Sequence, residues 1–199
     1  MSRAVSFDKP YRIAGVDEVG RGCIVGPVIA AAVILDPAKP VPGLTDSKKL
    51  SENQRNSLAK QIKSSAVCWA IGRAEASEID RINILQATLV AMQRAVSQLA
   101  YQPDFVKVDG NRLPNIDYPA EAIVQGDLLI QEISAASILA KVARDDEMQT
   151  LDRLYPGYQF TLHKGYPTQR HLQSLQQLGI TPQHRQTFAP VKKILLTSL

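Results

Sequence analysis

The chain is poor in the residues that mark secreted, zinc-bound or membrane proteins. Its 199 residues include two cysteines, Cys23 and Cys68, and these form no CxxC or other ligand spacing. One disulfide is conceivable, but two thiols in a chain with no export signal are more often reduced. The three histidines show no zinc-type spacing. Long apolar runs are missing: the longest, Val28 to Leu35, is far short of the roughly 20 residues that cross a bilayer. The opening MSRAVSFDKPYR has no apolar core behind a basic start, so it does not read as a signal peptide. The expectation is a cytoplasmic protein. Internal repeats, low-complexity tracts and long linkers are also absent.

What is present is ordinary for a soluble globular protein, with 45% apolar and 21% charged residues, which excludes disorder. The length suits one domain spanning 1–199, with a helical C-terminal part from about 150 packed across it. Nothing in the sequence demands more than a monomer. The net charge of +4 and pI of about 9.1 suit a polyanionic partner, although many basic proteins have none.

Arg12 to Val19 reads as a strand, and the unbroken apolar run Val28 to Leu35 as a fully buried one. Prolines 37, 40 and 42 with Gly43 make a loop. Ser51 with Gln54 three residues on is a capping box that opens a helix over about 52–63. A third strand follows from Ala66 to Ala74. Ile84, Leu85, Leu89, Met92, Val96 and Leu99 recur at helical spacing and predict a helix over about 83–100. Short strands at Phe105 to Gly110 and Glu121 to Val124 precede a long helix over about 128–149. Pro156, Gly157, Pro167, Gly179, Pro182 and Pro190 break the remainder into short pieces. Three early strands, then strands alternating with helices, predict an α/β structure with a mixed central sheet flanked by helices.

Acidic residues at strand ends carry the chemistry. Asp17 and Glu18 close the first strand, Asp109 closes FVKVD, and Asp127 follows Gly126 where the long helix is expected to begin. Each has a plainer reading. Asp127 alone could cap a helix, and Asp109 before Gly110 could be a turn residue. Asp17 is harder to dismiss, because an apolar strand gives it no partner. Adjacent strand residues point to opposite faces. Either the strand bends at Asp17–Glu18, or Glu18 acts by another route such as its carbonyl. Carboxylates brought together repel one another and resist desolvation, and Mg²⁺ or Mn²⁺ with oxygen ligands resolves both costs.

Gly20-Arg21-Gly22 follows the acidic pair, and glycines around an arginine let a backbone approach a phosphate. The spacing to Gly26 is GxGxxxG and a strand comes next, so a dinucleotide loop is excluded. On the long helix Ser134, Ser137, Lys141 and Arg144 lie at i, i+3, i+7 and i+10 and share one polar stripe suited to a phosphate backbone. A solvated helix face is the commoner reading of such a stripe. Ile133, Ala136, Ala140 and Val142 face the core on this reading. Lys48 and Lys49 are either phosphate contacts or a surface pair. Tyr166, in His163 to Thr168, could stack on a sugar or base, or be a core tyrosine. Ser57 to Lys60 matches SxxK by chance.

Together, DEVGRGCIVGPV, TDSKKLS, Asp109-Gly110, Gly126-Asp127, ISAASILAKVARD and HKGYPT resemble the motif series of bacterial ribonuclease HII. The resemblance runs in order over about residues 11–193. It implies a ribonuclease H-like fold and a four-carboxylate site at Asp17, Glu18, Asp109 and Asp127, holding two divalent ions, Mn²⁺ or Mg²⁺. It implies that Gly20, Arg21 and Gly22 contact the 2′-hydroxyl of the ribonucleotide next to DNA, and that Tyr166 stacks on the adjoining deoxyribose. The sister type, ribonuclease HIII, has Glu where this chain has Asp127 and usually carries an N-terminal extension.

The function expected is an endoribonuclease that hydrolyses the RNA strand of RNA–DNA hybrids and cuts 5′ to ribonucleotides embedded in duplex DNA. Two-metal catalysis would leave 3′-hydroxyl and 5′-phosphate ends. Lys48, Ser134, Ser137 and Lys141 join Gly20, Arg21, Gly22 and Tyr166 as expected substrate contacts. A basic binding module is the competing class, but such a module has no reason to collect acids at strand ends. A phosphatase or DNA nuclease on the same fold is excluded mainly by the motifs.

Overall fold

The structure is a computed structural model that describes residues 11–197. The start of the segment read above as lacking a signal peptide, up to residue 10, lies outside the described residues. Five strands form one sheet: β1 (Ile13–Val19), β2 (Val28–Ile34), β3 (Cys68–Ala74), β4 (Phe105–Asp109) and β5 (Ala120–Ile123). Their order is β3-β2-β1-β4-β5. β1, β2 and β3 pair antiparallel, whereas β4 and β5 run parallel to β1. The sheet is therefore mixed, as expected.

Helices cover both faces. On one lies α2 (Ala76–Ser97), packed on Ala14, Val16, Val106 and Val108. On the other lie α1 (Glu52–Ser65) and α4 (Gln131–Leu154), packed on Ala31 and Val33. Burial on both faces explains why β2 is apolar throughout. Two glycines set how close the helices come. A Cβ at Gly15 would overlap the Glu132 carbonyl of α4, and one at Gly72 the Ala91 carbonyl of α2.

The Ser51–Gln54 capping box opens α1 as expected. α2 begins earlier than its apolar periodicity indicates and breaks at Asn83, where φ is 66°. The Asn83 side chain accepts from the Leu85 and Gln86 amides at 3.0 and 3.1 Å, so it caps the second half of α2. The long helix is also divided. α3 (Gly126–Leu129) is a separate turn, and extended backbone at Ile130 parts it from α4. Asp127 thus sits on its own turn and not at the start of the long helix.

The C-terminal part forms α5 (Phe160–His163), α6 (Gln169–Leu178) and α7 (Ala189–Thr197). Phe160, Leu175 and Val191 pack with Ile24, Val25, Met148 and Leu151. Asp80 of α2 accepts from the Gln186 and Thr187 amides, both at 2.9 Å. Cys23 and Cys68 are free thiols, both buried. Among the described residues no helix is long and apolar enough to cross a membrane.

Candidate active site

β1 and β4 run parallel, so both finish at one edge of the sheet, where open α/β sheets commonly bind ligands. Val16 pairs with Val108, and the next position sets Asp17 beside Asp109 on the α4 face. Glu18 shares the α2 face with Val16 and Ala14. The strand does not bend, since pairing with β2 continues through Glu18 and Val19. Glu18 reaches the same region because the pairing of β1 with β4 ends at Val16 and Val108, which leaves that side of the strand open. Asp17, Glu18, Asp109 and Asp127 all line one cavity of about 120 Å³.

These carboxylates burden one another. Asp17, 6% exposed, is pushed well above the usual carboxylate range by burial, then by the charges of Glu18 and Asp109. The Ser137 hydroxyl and the Glu18 amide, 2.7 Å from its Oδ1, oppose that rise. Burial also raises Glu18, with Arg21 at 3.4 Å opposing and Asp109 adding to it. Asp127 is raised by burial, then by Asp109 and Asp46, against Lys48. Asp127 is not the N-cap of its turn. The left-handed residue Gln125 occupies the N-cap of α3, and the Asp127 carbonyl accepts the Ser134 hydroxyl at 2.7 Å. Nor is Asp109 a bare turn residue, because its Oδ1 accepts the Asp127 amide at 3.3 Å.

The donor set fits a hard divalent cation. Carboxylates dominate the lining, no thiol or imidazole contributes, and such ions take oxygen ligands. The carboxylates stand around the cavity without closing into a cage. Among the described residues no three Asp, Glu, His or Cys side chains already have ion-binding spacing. Mutual repulsion keeps like charges apart, and ions of this kind complete their shells with water and phosphate.

Cations border the acids. A turn at Ser47–Lys49, capped by Asp46, carries Lys48 to the cavity. The Ser47 hydroxyl meets that of Ser137 at 3.0 Å, and Arg55 donates to the Ser47 carbonyl at 2.7 Å. Lys141 also lines the cavity, but its ammonium is paired with buried Asp145 at 2.6 Å.

The expected polar stripe on α4 is not a solvated face. Ser134, Ser137 and Arg144 are buried, because α4 crosses the sheet in the interior, where Arg144 meets loop carbonyls and Ser137 the Ser47 hydroxyl. Ser137 and Lys141 face the cavity and Ser134 does not, its hydroxyl being held by the Asp127 and Ile130 carbonyls.

Arg144 instead supports the loop of Gly20–Pro27. It donates to the Val25 and Pro27 carbonyls, each at 2.7 Å. From the C-terminal part Arg185 donates to Cys23 at 2.6 Å and to Arg21 and Gly26 at 3.0 Å. Gly20 has φ +96°, and a Cβ there would lie 3.2 Å from Arg144 Nε, so a side chain is both strained and crowded. A Cβ at Gly22 would sit 3.6 Å from the Tyr166 ring. The Ile24 amide donates to the Gly165 carbonyl at 3.0 Å, tying this loop to the segment that carries Tyr166. That ring is 44% exposed and lines the carboxylate cavity.

All three histidines lie beneath that segment. His163 stacks on His171 with centroids 4.1 Å apart, and His171 Nε2 is 3.2 Å from His184 Nε2. Burial lowers all three, His171 to about 4 and His184 to about 3. The Gly165 amide donates to His163 Nδ1 at 3.2 Å, and His171 Nδ1 lies 2.9 Å from the Tyr166 carbonyl. Sequence reasoning missed Ser47, Arg185 and this cluster. Their partners are far along the chain, and only the rarity of histidine hinted that the three could be one feature.

A mixed sheet flanked by helices, with carboxylates at the ends of its parallel strands, defines the class of ribonuclease H-like nucleases. The ribonuclease HII family matches residues 14–191. Ribonuclease H2 of Pyrococcus horikoshii superposes with TM-score 0.76 at 26% identity, over 94% of this chain and 98% of that one. Ribonuclease HII of Archaeoglobus fulgidus, solved in complex with PCNA, gives 0.71 at 24% identity over 89% and 95%. Bst ribonuclease HIII in complex with Mn²⁺ gives 0.73 at 18% identity over 94% and 70%, a likeness of fold. The chain belongs to the ribonuclease HII family. It is therefore a metal-dependent ribonuclease H, an endonuclease for RNA paired with DNA.

Proposed function

We propose that this enzyme cuts 5′ to ribonucleotides, in hybrids and singly embedded in duplex DNA, with Asp17, Glu18, Asp109 and Asp127 holding two divalent ions. The supporting observation is that four acids from three separate segments line one cavity beside the glycine loop and Tyr166. Mn²⁺ bound to the fold's HIII relative supports the ions. When bound, they supply activation of water and stabilisation of the leaving 3′-oxygen.

The protein's own groups hold and select the strand. Lys48 and Lys141 balance its charge near the acids, and Ser137 orients Asp17 by hydrogen bonding. Gly20, Arg21 and Gly22 read the 2′-hydroxyl, the group that separates RNA from DNA, on a loop fixed by Arg144 and Arg185. Tyr166 presents its ring beside Gly22 for stacking on the adjoining deoxyribose. No base need be read. PCNA bound to the archaeal enzyme supports a replication-linked partner as part of this proposal.

The test is cleavage of a labelled RNA–DNA hybrid with Mg²⁺ or Mn²⁺ and again with chelator. Metal-dependent RNA cleavage that Asp109→Asn removes is expected. Cleavage that survives chelator or that substitution refutes the four-carboxylate reading.

A further inference from the structure

Glu18 and Asp109 line a second cleft as well, of about 80 Å³, on the α2 side of the acids. Its floor is apolar, made by Leu85, Leu89 and Met92 of α2. Thr88 adds a hydroxyl already held by the Ile84 carbonyl at 2.8 Å. The rim is cationic, from Arg21 and Arg112. Arg21 is partly satisfied by Glu18 at 3.4 Å. Arg112 is exposed and, among the described residues, makes no hydrogen bond or ion pair. Main chain anchors the start of its segment, since the Gly110 amide donates to the Ile123 carbonyl at 2.9 Å just after β4.

A polyanion crossing four carboxylates needs cations on both sides. Lys48 and Lys141 stand on the α4 side, while Arg21 and Arg112 are the cations lining the α2 side. At about 80 Å³ the cleft has room for a phosphate-sized group. A guanidinium fork matches phosphate oxygens, and the apolar floor suits the face of a sugar.

We infer that this cleft is a subsite for one backbone phosphate of the cleaved strand, next to the scissile one, and that Arg112 is its main ligand. The inference rests on the reading of an RNA–DNA duplex as substrate. Such a contact fixes register without reading sequence.

The experiment is steady-state cleavage of a hybrid by the native protein and by Arg112→Gln. It is repeated on substrates carrying one uncharged methylphosphonate linkage, moved stepwise along the cleaved strand. The substitution should raise KM about tenfold with a smaller change in kcat, and lower the salt slope of binding by about one. Arg112→Lys should recover part of the loss. One methylphosphonate position should cost the native protein the same factor and cost Arg112→Gln nothing further. An unchanged KM in Arg112→Gln, or full additivity at every position, overturns this inference alone. Failure of the native protein to cut any hybrid overturns the substrate reading and this inference with it.

Discussion

The Arg185 guanidinium donates to the main-chain carbonyl of Cys23 at 2.6 Å, across 162 residues of chain and entirely out of solvent. The loop that follows Asp17 and Glu18 is thus fastened by the C-terminal part of the protein. Arg185→Met should leave the Arg21, Cys23 and Gly26 carbonyls without that donor and cost about 3 kcal/mol. Urea unfolding checks this, and native stability in the variant contradicts it.

Asp17→Asn separates catalysis from folding. Turnover should fall about a thousandfold or more, while binding of the hybrid persists. Asp17 is held above its ordinary range by burial, Glu18 and Asp109, so its ionised form opposes the fold. A carboxyl raised in this way contributes stability below its unfolded value and loses it as pH rises through the folded one. At neutral pH with chelator present, the variant should therefore melt higher than the native protein. A lower Tm in chelator contradicts this electrostatic account.

The histidine cluster has the opposite sign. His171 and His184 are lowered from 6.5 to about 4 and about 3. Their contribution is present above pH 6.5 and is lost as pH falls toward those values. Each unit of depression corresponds to about 1.4 kcal/mol, so the loss across that window is on the order of several kcal/mol. Because the acid cluster works the other way, the measurement is best made in Asp17→Asn, by denaturant titration between pH 7 and about 4. A flat profile contradicts the burial of neutral imidazoles.

Tyr166→Ala should weaken cutting at a single embedded ribonucleotide about tenfold, and act less on long hybrids, where other registers are available. Competition between the two substrates in one tube reads the ratio. Equal loss on both signals damage to the loop on which His163 and His171 bear.

Much of the site was legible because its signals are local. Acids ending apolar strands, a glycine loop and a capping box each announce themselves within a few residues. Even the problem of Asp17 and Glu18 was visible. Its resolution was not, since it depends on where the pairing of β1 with β4 stops. The polar stripe of Ser134, Ser137, Lys141 and Arg144 was legible in spacing, but of the four it is Ser137 and Lys141 that line the cavity. Periodicity says which residues share a face, but not whether water or a loop carbonyl lies opposite. The break at Ile130 left no helix-ending residue to detect. Arg185 and the three histidines act only through contacts distant in the chain.

The central claim is most directly tested on duplex DNA carrying one ribonucleotide, with the cut mapped at nucleotide resolution, for the native protein and for Asp109→Asn. The account predicts one metal-dependent cut on the 5′ side of the ribonucleotide, leaving 3′-hydroxyl and 5′-phosphate ends, absent in the variant and in chelator. A cut on the 3′ side, or the same cut without metal or without Asp109, would contradict it.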